Sequence, residues 1–389
     1  MEEKVNNKII FYNDDYKYGT GCSFGFGVRI GDPKYNNAHI SIGNNCVFED
    51  GVVIIGQNIV IDDNVHIGKN CFIKGENIKI GNNTLIFDQV LIAVTKQLVL
   101  GTRNKISRDC AFRCYSIRIG NDLWCNENVD IGGGGCWQNS ALLEIGDFVH
   151  IGKSAMINVC QPTYIGSRTG IGIESMIFTH SAGNGQSILE GYTHTEKSVW
   201  IGEHVSLYTR AFIAPGSTLD SGVIVGASAY ASGHLEKGLY VGIPAKKKRE
   251  IPKLSNEERI SIMKKVLIQS FDGKVSLYHG KELLNSTYSE GILLLTEENN
   301  KTNQELIDEL FTNHKNIIVL SMCPFNVDTY KVKKYTLFRL IENDILGVTS
   351  VLSENVRDML RRNGILPNYS YYSPFQLDYN KLKMKGIEK

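Results

Sequence analysis

From Ile42 onward an aliphatic or aromatic residue recurs at every sixth position, in sets of three. Ile42, Phe48 and Ile54 form the first triplet, Ile61, Ile67 and Ile73 the second, and Ile80, Ile86 and Ile92 the third. Leu100-Ile106-Phe112, Ile119-Cys125-Ile131, Ile145-Ile151-Ile157 and Ile165-Ile171-Ile177 continue the series. A last run, Ile201, Leu207, Ile213, Leu219, Val225 and Ala231, carries the beat to its end. A period of six is neither a helix face nor the alternation of a half-buried strand. It predicts a prism in which each hexad is a short strand plus a corner. Three hexads then make a coil of about 18 residues, stacked on the next at ~4.8 Å, with the aliphatic side chains inside. Gly, Asp or Asn usually follows the first aliphatic of a triplet, where its conformational freedom is expected to serve the turn.

The spacing between triplets carries the functional signal. From the third aliphatic of one triplet to the first of the next, the gaps are 7, 7, 8, 7, 14, 8 and 24 residues. All the slack falls at one corner. The insertion Gly132–Asn139 and the longer loop Ser181–Ser198 therefore leave the same edge, two coils or roughly 10 Å apart. Asn158, one residue past Ile157, lies between them, and His180 stands three residues past Ile177. Two polar side chains and two loops converge on one corner.

Outside the hexads the chain changes in kind. Residues 1–40 are rich in Tyr and Gly, read as irregular, and are expected to cap the open end of the stack. The hexads stop at Lys246-Lys247-Lys248-Arg249, so the repeat domain is taken as 41–249. Residues 250–389 predict a small α/β domain, with strands at Ile292–Thr296 and Ile317–Ser321 and a helix over Asn303–Asn313 between them. A further helix is expected from an N-cap at Ser353 through Arg362. This domain has no phosphate loop and no catalytic signature.

Composition narrows the function classes. A net charge of +1 gives no electrostatic reason to expect nucleic acid or an anionic membrane as partner. No apolar run approaches the roughly 18 residues of a spanning helix. Met1-Glu2-Glu3-Lys4 has no apolar segment behind it, which predicts no signal peptide and a cytoplasmic protein. There are 38 glycines against 8 prolines, a balance of tight turns rather than disorder. The nine cysteines lack any C-x-x-C pair. Cys46, Cys71 and Cys110 each come four residues after a repeat aliphatic, so they are expected to be small wall residues and free thiols.

The hexads, the closing Gly242-Ile243-Pro244-Ala245 and the run Val225-Gly226-Ala227 resemble the hexapeptide-repeat acyltransferases. Within them they are similar to the maltose, galactoside and polysaccharide O-acetyltransferases. The resemblance covers about residues 40–249. It implies a left-handed parallel β-helix, mainly β, assembled as a homotrimer with acetyl-CoA in the groove between neighbouring prisms. It also implies a catalytic histidine at the end of a hexad before a long loop, which is His180, and an acceptor-orienting asparagine one coil earlier, which is Asn158. The family's Trp-Ile-Gly before Pro-Gly falls on Ser206-Leu207-Tyr208, counted back from Pro215-Gly216. The amide facing the thioester carbonyl is then that of Thr209. Ala227, Ser232, Lys246, Lys247 and Lys248 would line the acetyl-CoA site. The lysine often found after the Ala227 strand is absent, with Gly233 near that place.

The chemistry asks for few groups. A sugar hydroxyl must lose its proton as it attacks a thioester, and a histidine near neutrality suits that role. The oxyanion needs one fixed donor, and the two substrates need a rigid groove. No acyl-enzyme and no metal are required. His66, His150, His180, His194 and His204 are too scattered for a three-histidine metal site. Several residues keep two readings. His194 is a rival base or a substrate contact, and Asn158 either positions substrate or satisfies corner backbone groups. Lys246–Arg249 either meets the CoA phosphates or is a solvated linker, and Trp137 either anchors packing or stacks on a sugar. The leading expectation is an acetyl-CoA-dependent O-acetyltransferase of a bacterial surface polysaccharide, capsule or lipopolysaccharide. N-acetylation of an amino sugar and a decayed, inactive scaffold are the alternatives.

Overall fold

The computed structural model describes residues 10–12, 15–32, 34, 39–181, 189, 191, 193–270, 275–278, 281–285, 291–295, 317–321, 336–340, 342, 344–347, 351–362, 365 and 367–369. Two compact units divide the chain near residue 251.

The first unit is a parallel β-solenoid. Its three faces are the three positions of the hexad triplet. Ile42, Ile61, Ile80, Leu100, Ile119, Ile145, Ile165, Ile201 and Leu219 stack in register on the first face. Phe48, Ile67, Ile86, Ile106, Cys125, Ile151, Ile171, Leu207 and Val225 form the second. Ile54, Ile73, Ile92, Phe112, Ile131, Ile157, Ile177, Ile213 and Ala231 form the third. All of them are buried, so the solenoid's core is one continuous column of branched and aromatic side chains. Each coil gives up its backbone donors to the coil beside it, as strands in a sheet do.

The corners differ from the expectation in one respect. The glycines that follow a first aliphatic do not adopt the left-handed conformation. That conformation is taken two residues later, by Asn45, Asn64 and Asn83, at φ 55°, 57° and 58°, and Asn is among the few residues that tolerate it. The glycine answers a different demand. A Cβ built on Gly166 would lie 2.5 Å from the carbonyl carbon of Gly202 in the next coil. Close coil-to-coil approach, not torsional freedom, selects glycine there. Gly166→Ala is therefore expected to cost about 1–3 kcal/mol through overpacking, read as a lower urea midpoint in equilibrium unfolding. An unchanged midpoint would mean that the coils separate freely at this corner.

The start of the chain is more regular than expected. Tyr16–Tyr18, Ser23–Phe24 and Arg29–Ile30 pair in parallel with the coil above, so residues 16–30 are one further coil. Tyr18, Phe24 and Ile30 keep the six-residue beat, but two of the three are aromatic. Phe11, Tyr16 and Tyr18 stack face to face, with the first two ring centroids 4.3 Å apart. At the other end Lys246–Arg249 folds back antiparallel on Gly238–Val241 and closes the last coil. It is a strand, not a linker.

Eight described cysteines are unpaired, and Cys323 lies outside the described residues. Cys46, Cys71 and Cys110 are buried in the wall, as expected. Burial pushes the Cys46 and Cys71 thiols up to about 11.

The second unit holds a seven-stranded sheet from Val275–Tyr278 to Asn368–Tyr369. Gly291–Leu295, Ile317–Ser321 and Thr336–Arg339 run parallel at its centre. Helices Asn256–Ser270 and Val351–Arg362 contribute Met263, Val356 and Leu360 to its core. The expected strands at 292 and 317 are there, and the expected helix over 303–313 lies outside the described residues. Ser353 does not cap its helix, which begins two residues earlier and buries it. The helix at Asn256 was not expected, although its start is a capping box. The Ser255 hydroxyl accepts from the Glu258 N–H at 3.2 Å, and the Glu258 carboxylate from the Ser255 N–H at 2.7 Å. Among the described residues no helix is long and apolar enough to cross a membrane.

Candidate active site

The corner between the third and first faces holds all the slack in the repeat. In register down this edge come Arg113, Gly132, Asn158 and Phe178, one coil apart. Thr179 and His180 follow Phe178. His180 and Ser181 pair antiparallel with Thr195 and Glu196, so the long loop leaves the edge through a short hairpin neck. Most of the loop beyond that neck lies outside the described residues.

Asn158 and His180 meet. The His180 Nδ1 lies 2.7 Å from Asn158 Oδ1. Which way round the amide sits follows from its other partners. Its Nδ2 donates to the Gly132 carbonyl at 3.0 Å, and its Oδ1 accepts from the Thr179 hydroxyl at 2.8 Å and the Thr179 N–H at 3.3 Å. An oxygen so placed accepts a hydrogen bond from Nδ1–H, which keeps the proton on Nδ1 and leaves the lone pair on Nε2. Asn158 is only 3% exposed, so this amide is held on all sides. Nε2 faces the Gly132–Asn139 insertion, where a Cβ on Gly134 would stand 3.8 Å from it. A methyl group there would stand in van der Waals contact with Nε2, a contact that glycine leaves unfilled.

Further partners surround the pair, and sequence reasoning missed them. Glu196 sits beside the His180 backbone at the hairpin neck and accepts from His194 Nε2 at 2.9 Å and Gln161 Nε2 at 3.1 Å. Those two bonds hold its carboxyl below the usual carboxylate range, and His180 adds to the effect. His194 is thereby tied to Glu196 through Nε2. The signal for Glu196 was its place in the last turn of the loop, which a hairpin neck would bring back to His180. Trp137, at the tip of the shorter insertion, is 69% exposed and does not anchor packing within this unit.

The remaining predicted residues divide between two corners. Ser232 follows Ala231 and so continues the His180 edge two coils further on. Thr209 does not join it. Two residues past Leu207, it turns the corner between the second and third faces, and Ala227, two past Val225, lies beneath it. Between Thr209 and Ala214, the residue next to Phe178 in the adjacent coil, lie the turn at Arg210 and the third-face strand Phe212–Ile213. One protomer therefore leaves Thr209 a full face away from His180. Lys246, Lys247 and Lys248 are exposed on the closing strand, with Lys247 paired to Glu250 at 2.7 Å.

Between the two corners the third face turns an apolar strip outward. Met156, Met176, Phe212 and Tyr230 succeed one another in register. Phe178, Phe212 and Tyr230 stack at 5.4 Å and 5.2 Å between centroids. The two methionines and Tyr230 are exposed.

Three stacked columns at a strict six-residue period, wound as one parallel solenoid, decide the architecture. This is the hexapeptide-repeat β-helix fold. No protein-family model matches the sequence, and no curated protein does. Among solved structures, this hexapeptide-repeat β-helix is similar to a hexapeptide-repeat-containing acetyltransferase of Vibrio cholerae O1 biovar eltor, solved with acetyl-CoA. Identity is 20% over 30% of this chain and 63% of that one, with a TM-score of 0.27. It is also similar to an N-acyltransferase of Bacillus cereus bound to dTDP and coenzyme A, at 18% identity over 45% and 89% of the two chains and a TM-score of 0.32. A polysialic-acid-specific acetyltransferase matches at 12% identity over 65% and 93%, with a TM-score of 0.28.

Proposed function

We propose that this hexapeptide-repeat protein is an acyltransferase that moves the acetyl group of acetyl-CoA to a sugar hydroxyl, and that its acceptor is a surface polysaccharide. The observation that carries the reading is the His180–Asn158 pair at the one corner where both insertions emerge. A histidine with Nδ1 tied to a buried amide oxygen and Nε2 open beneath a glycine loop is a ready general base.

The reaction then needs little else. His180 Nε2 takes the hydroxyl proton as the oxygen attacks the thioester carbonyl. Asn158 Oδ1 keeps its bond to Nδ1–H and steadies the imidazolium, and the ionised Glu196 adds a favourable field. The tetrahedral oxyanion is held by the Thr209 N–H of a neighbouring copy. Its collapse breaks the C–S bond, and the departing thiolate takes the proton back from His180. A positioned base contributes ~10²–10⁴-fold, and one oxyanion donor ~10²–10³-fold.

The neighbouring copy follows from the two-corner division. Copies arranged around a threefold axis bring the His180 corner of one prism against the Thr209 corner of the next. The exposed strip Met156-Met176-Phe212-Tyr230 supplies the apolar surface such packing covers. Acetyl-CoA lies in that groove, near Ala227 and Ser232, with the basic strand Lys246–Lys248 at the end of the solenoid to meet its phosphates.

A thiol-release assay with acetyl-CoA and a panel of sugars tests the reading. Alkali-labile acetate on the product supports O-transfer, alkali-stable acetate indicates N-transfer, and no acceptor-dependent release would overturn it. The exposed Trp137 faces the acceptor in this scheme. Trp137→Ala is expected to raise the acceptor KM about 3–10-fold, the loss of one aromatic contact worth ~0.5–1.5 kcal/mol. The acetyl-CoA KM and kcat should hold. A change in the acetyl-CoA KM alone would move Trp137 to the other substrate.

A further inference from the structure

We infer that the edge bearing His180 carries a second carbohydrate site, a cavity at its N-terminal coils that holds another residue of an oligosaccharide acceptor. The inference rests on the acyltransferase reading for its ligand class and on a separate cavity for its site.

The cavity has a volume of about 430 Å³ and is lined in part by Asp32, Lys74, Glu76, Thr95 and Lys96. That volume falls in the range of sites that hold small molecules. Its origin is a mismatch between successive coils at this corner. Two coils turn on Gly56 and Gly75, both on its lining. A Cβ on Gly75 would come within 2.7 Å of Val94 Cγ2, so its floor is bare backbone. The next coil has one residue more, and the strand register slips between Val94 and Gln97. Thr95 and Lys96 are pushed out as a wall. Lys96 Nζ meets Glu76 Oε2 at 2.6 Å across it.

The lining chemistry selects the ligand class. Two carboxylates, two ammonium groups, a hydroxyl and glycine backbone offer acceptors and donors in comparable number beside the apolar Ile55 and Val94, with no aromatic slot. A purely anionic ligand would meet Asp32 and Glu76, and an apolar one would desolvate four charges. A polyhydroxylated sugar ring uses both signs.

Position ties the cavity to the chemistry. Thr95 and His180 turn the same corner of the solenoid, with four coil rises, about 19 Å, between their coils. The intervening edge carries Arg113, ion-paired to Asp130, directly above Gly132 and Asn158. A single sugar cannot reach both sites. A chain of several units, passing beside the Gly132–Asn139 insertion that leaves this edge between them, reaches both.

The test uses the full-length protein with a chito-oligosaccharide ladder of one to eight units. Two readouts are taken, acetyl transfer and direct binding by titration calorimetry. The expected result is a gain of at least tenfold in kcat/KM, and in affinity, between one unit and the length that spans the edge. Thr95→Trp, which fills the cavity from its exposed wall, and the Lys74→Ala/Glu76→Ala pair should each remove that gain. Both should leave single-unit transfer and the acetyl-CoA KM unchanged. Length-independent binding, or a gain that survives both variants, would overturn the inference. Length-dependent, Thr95→Trp-sensitive binding without any acetyl transfer would keep the cavity site and sink the acyltransferase reading instead.

Discussion

Replacing His180 with alanine is expected to slow acetyl transfer by roughly 10²–10⁴-fold, the range a positioned general base supplies. The acetyl-CoA KM should stay near its wild-type value, because the imidazole acts on the acceptor proton and not on the thioester's binding. Fold should be kept, since His180 is partly exposed and the Asn158 Oδ1 it would leave still accepts from the Thr179 hydroxyl. Asn158→Ala makes the informative contrast. It removes the acceptor for His180 Nδ1–H and leaves the buried Thr179 N–H without its side-chain acceptor, while the Gly132 carbonyl keeps the Val159 N–H and the Thr179 hydroxyl keeps the Asn158 carbonyl. A group left buried and unpaired costs about 1–3 kcal/mol. That variant should therefore lose both rate and thermal stability, whereas His180→Ala should lose rate alone. The measurement is thiol release against acceptor concentration, beside a melting curve for each protein. Equal rates in wild type and His180→Ala would end the claim that this histidine is the base.

Much of this corner was legible because a rigid repeat makes arithmetic reliable. Each hexad spends six residues on one strand and one turn, so any surplus has to leave at a corner. Counting surplus placed Asn158 and His180 on one edge, and the paired register of Gly132, Asn158 and Phe178 runs along that edge. The same count, had it been applied to Thr209, would have separated it from His180. Thr209 stands two residues past a second-column aliphatic, and His180 three past a third. Family resemblance supplied the residue without its corner.

What stayed hidden has physical reasons. The first coil is built on Tyr18 and Phe24, whose aromatic character disguises the aliphatic beat. Glu196 comes to His180 only through a cross-strand pairing that no periodicity announces. The cavity beside Thr95 arises from a one-residue surplus, visible as a gap of eight, but its depth depends on Gly56 and Gly75 in the coils before it. The helix from Asn256 was announced by Ser255 and Glu258, a short signal easily passed over at the end of a strong repeat.

The second large effect concerns which chain completes the site. Thr209→Pro removes the one N–H assigned to the oxyanion and is expected to lower transfer by ~10²–10³-fold. His180→Ala removes the base from the opposite corner. Each variant alone should be nearly inactive at every site. Co-expressed and purified as mixed trimers, the two should recover activity. In such a trimer one groove joins an intact His180 corner to an intact Thr209 corner, while another groove carries both lesions. Recovery of up to about one third of wild-type rate is the geometric ceiling for three sites per trimer, and homotrimers in the mixture lower it further. Sedimentation and a melting curve on each parent establish that the Thr209→Pro protein is folded and assembled before mixing. If mixing restored nothing while both parents remained trimeric, the base and the oxyanion donor would have to come from one chain. Closing the full face between those corners would then need a large rearrangement of a core whose inward side chains are nearly all buried. A stacked solenoid resists such a change, because every coil is fixed by the two beside it. Sharing the site between copies needs no such movement, and the exposed apolar strip between the two corners is the surface on which they would meet.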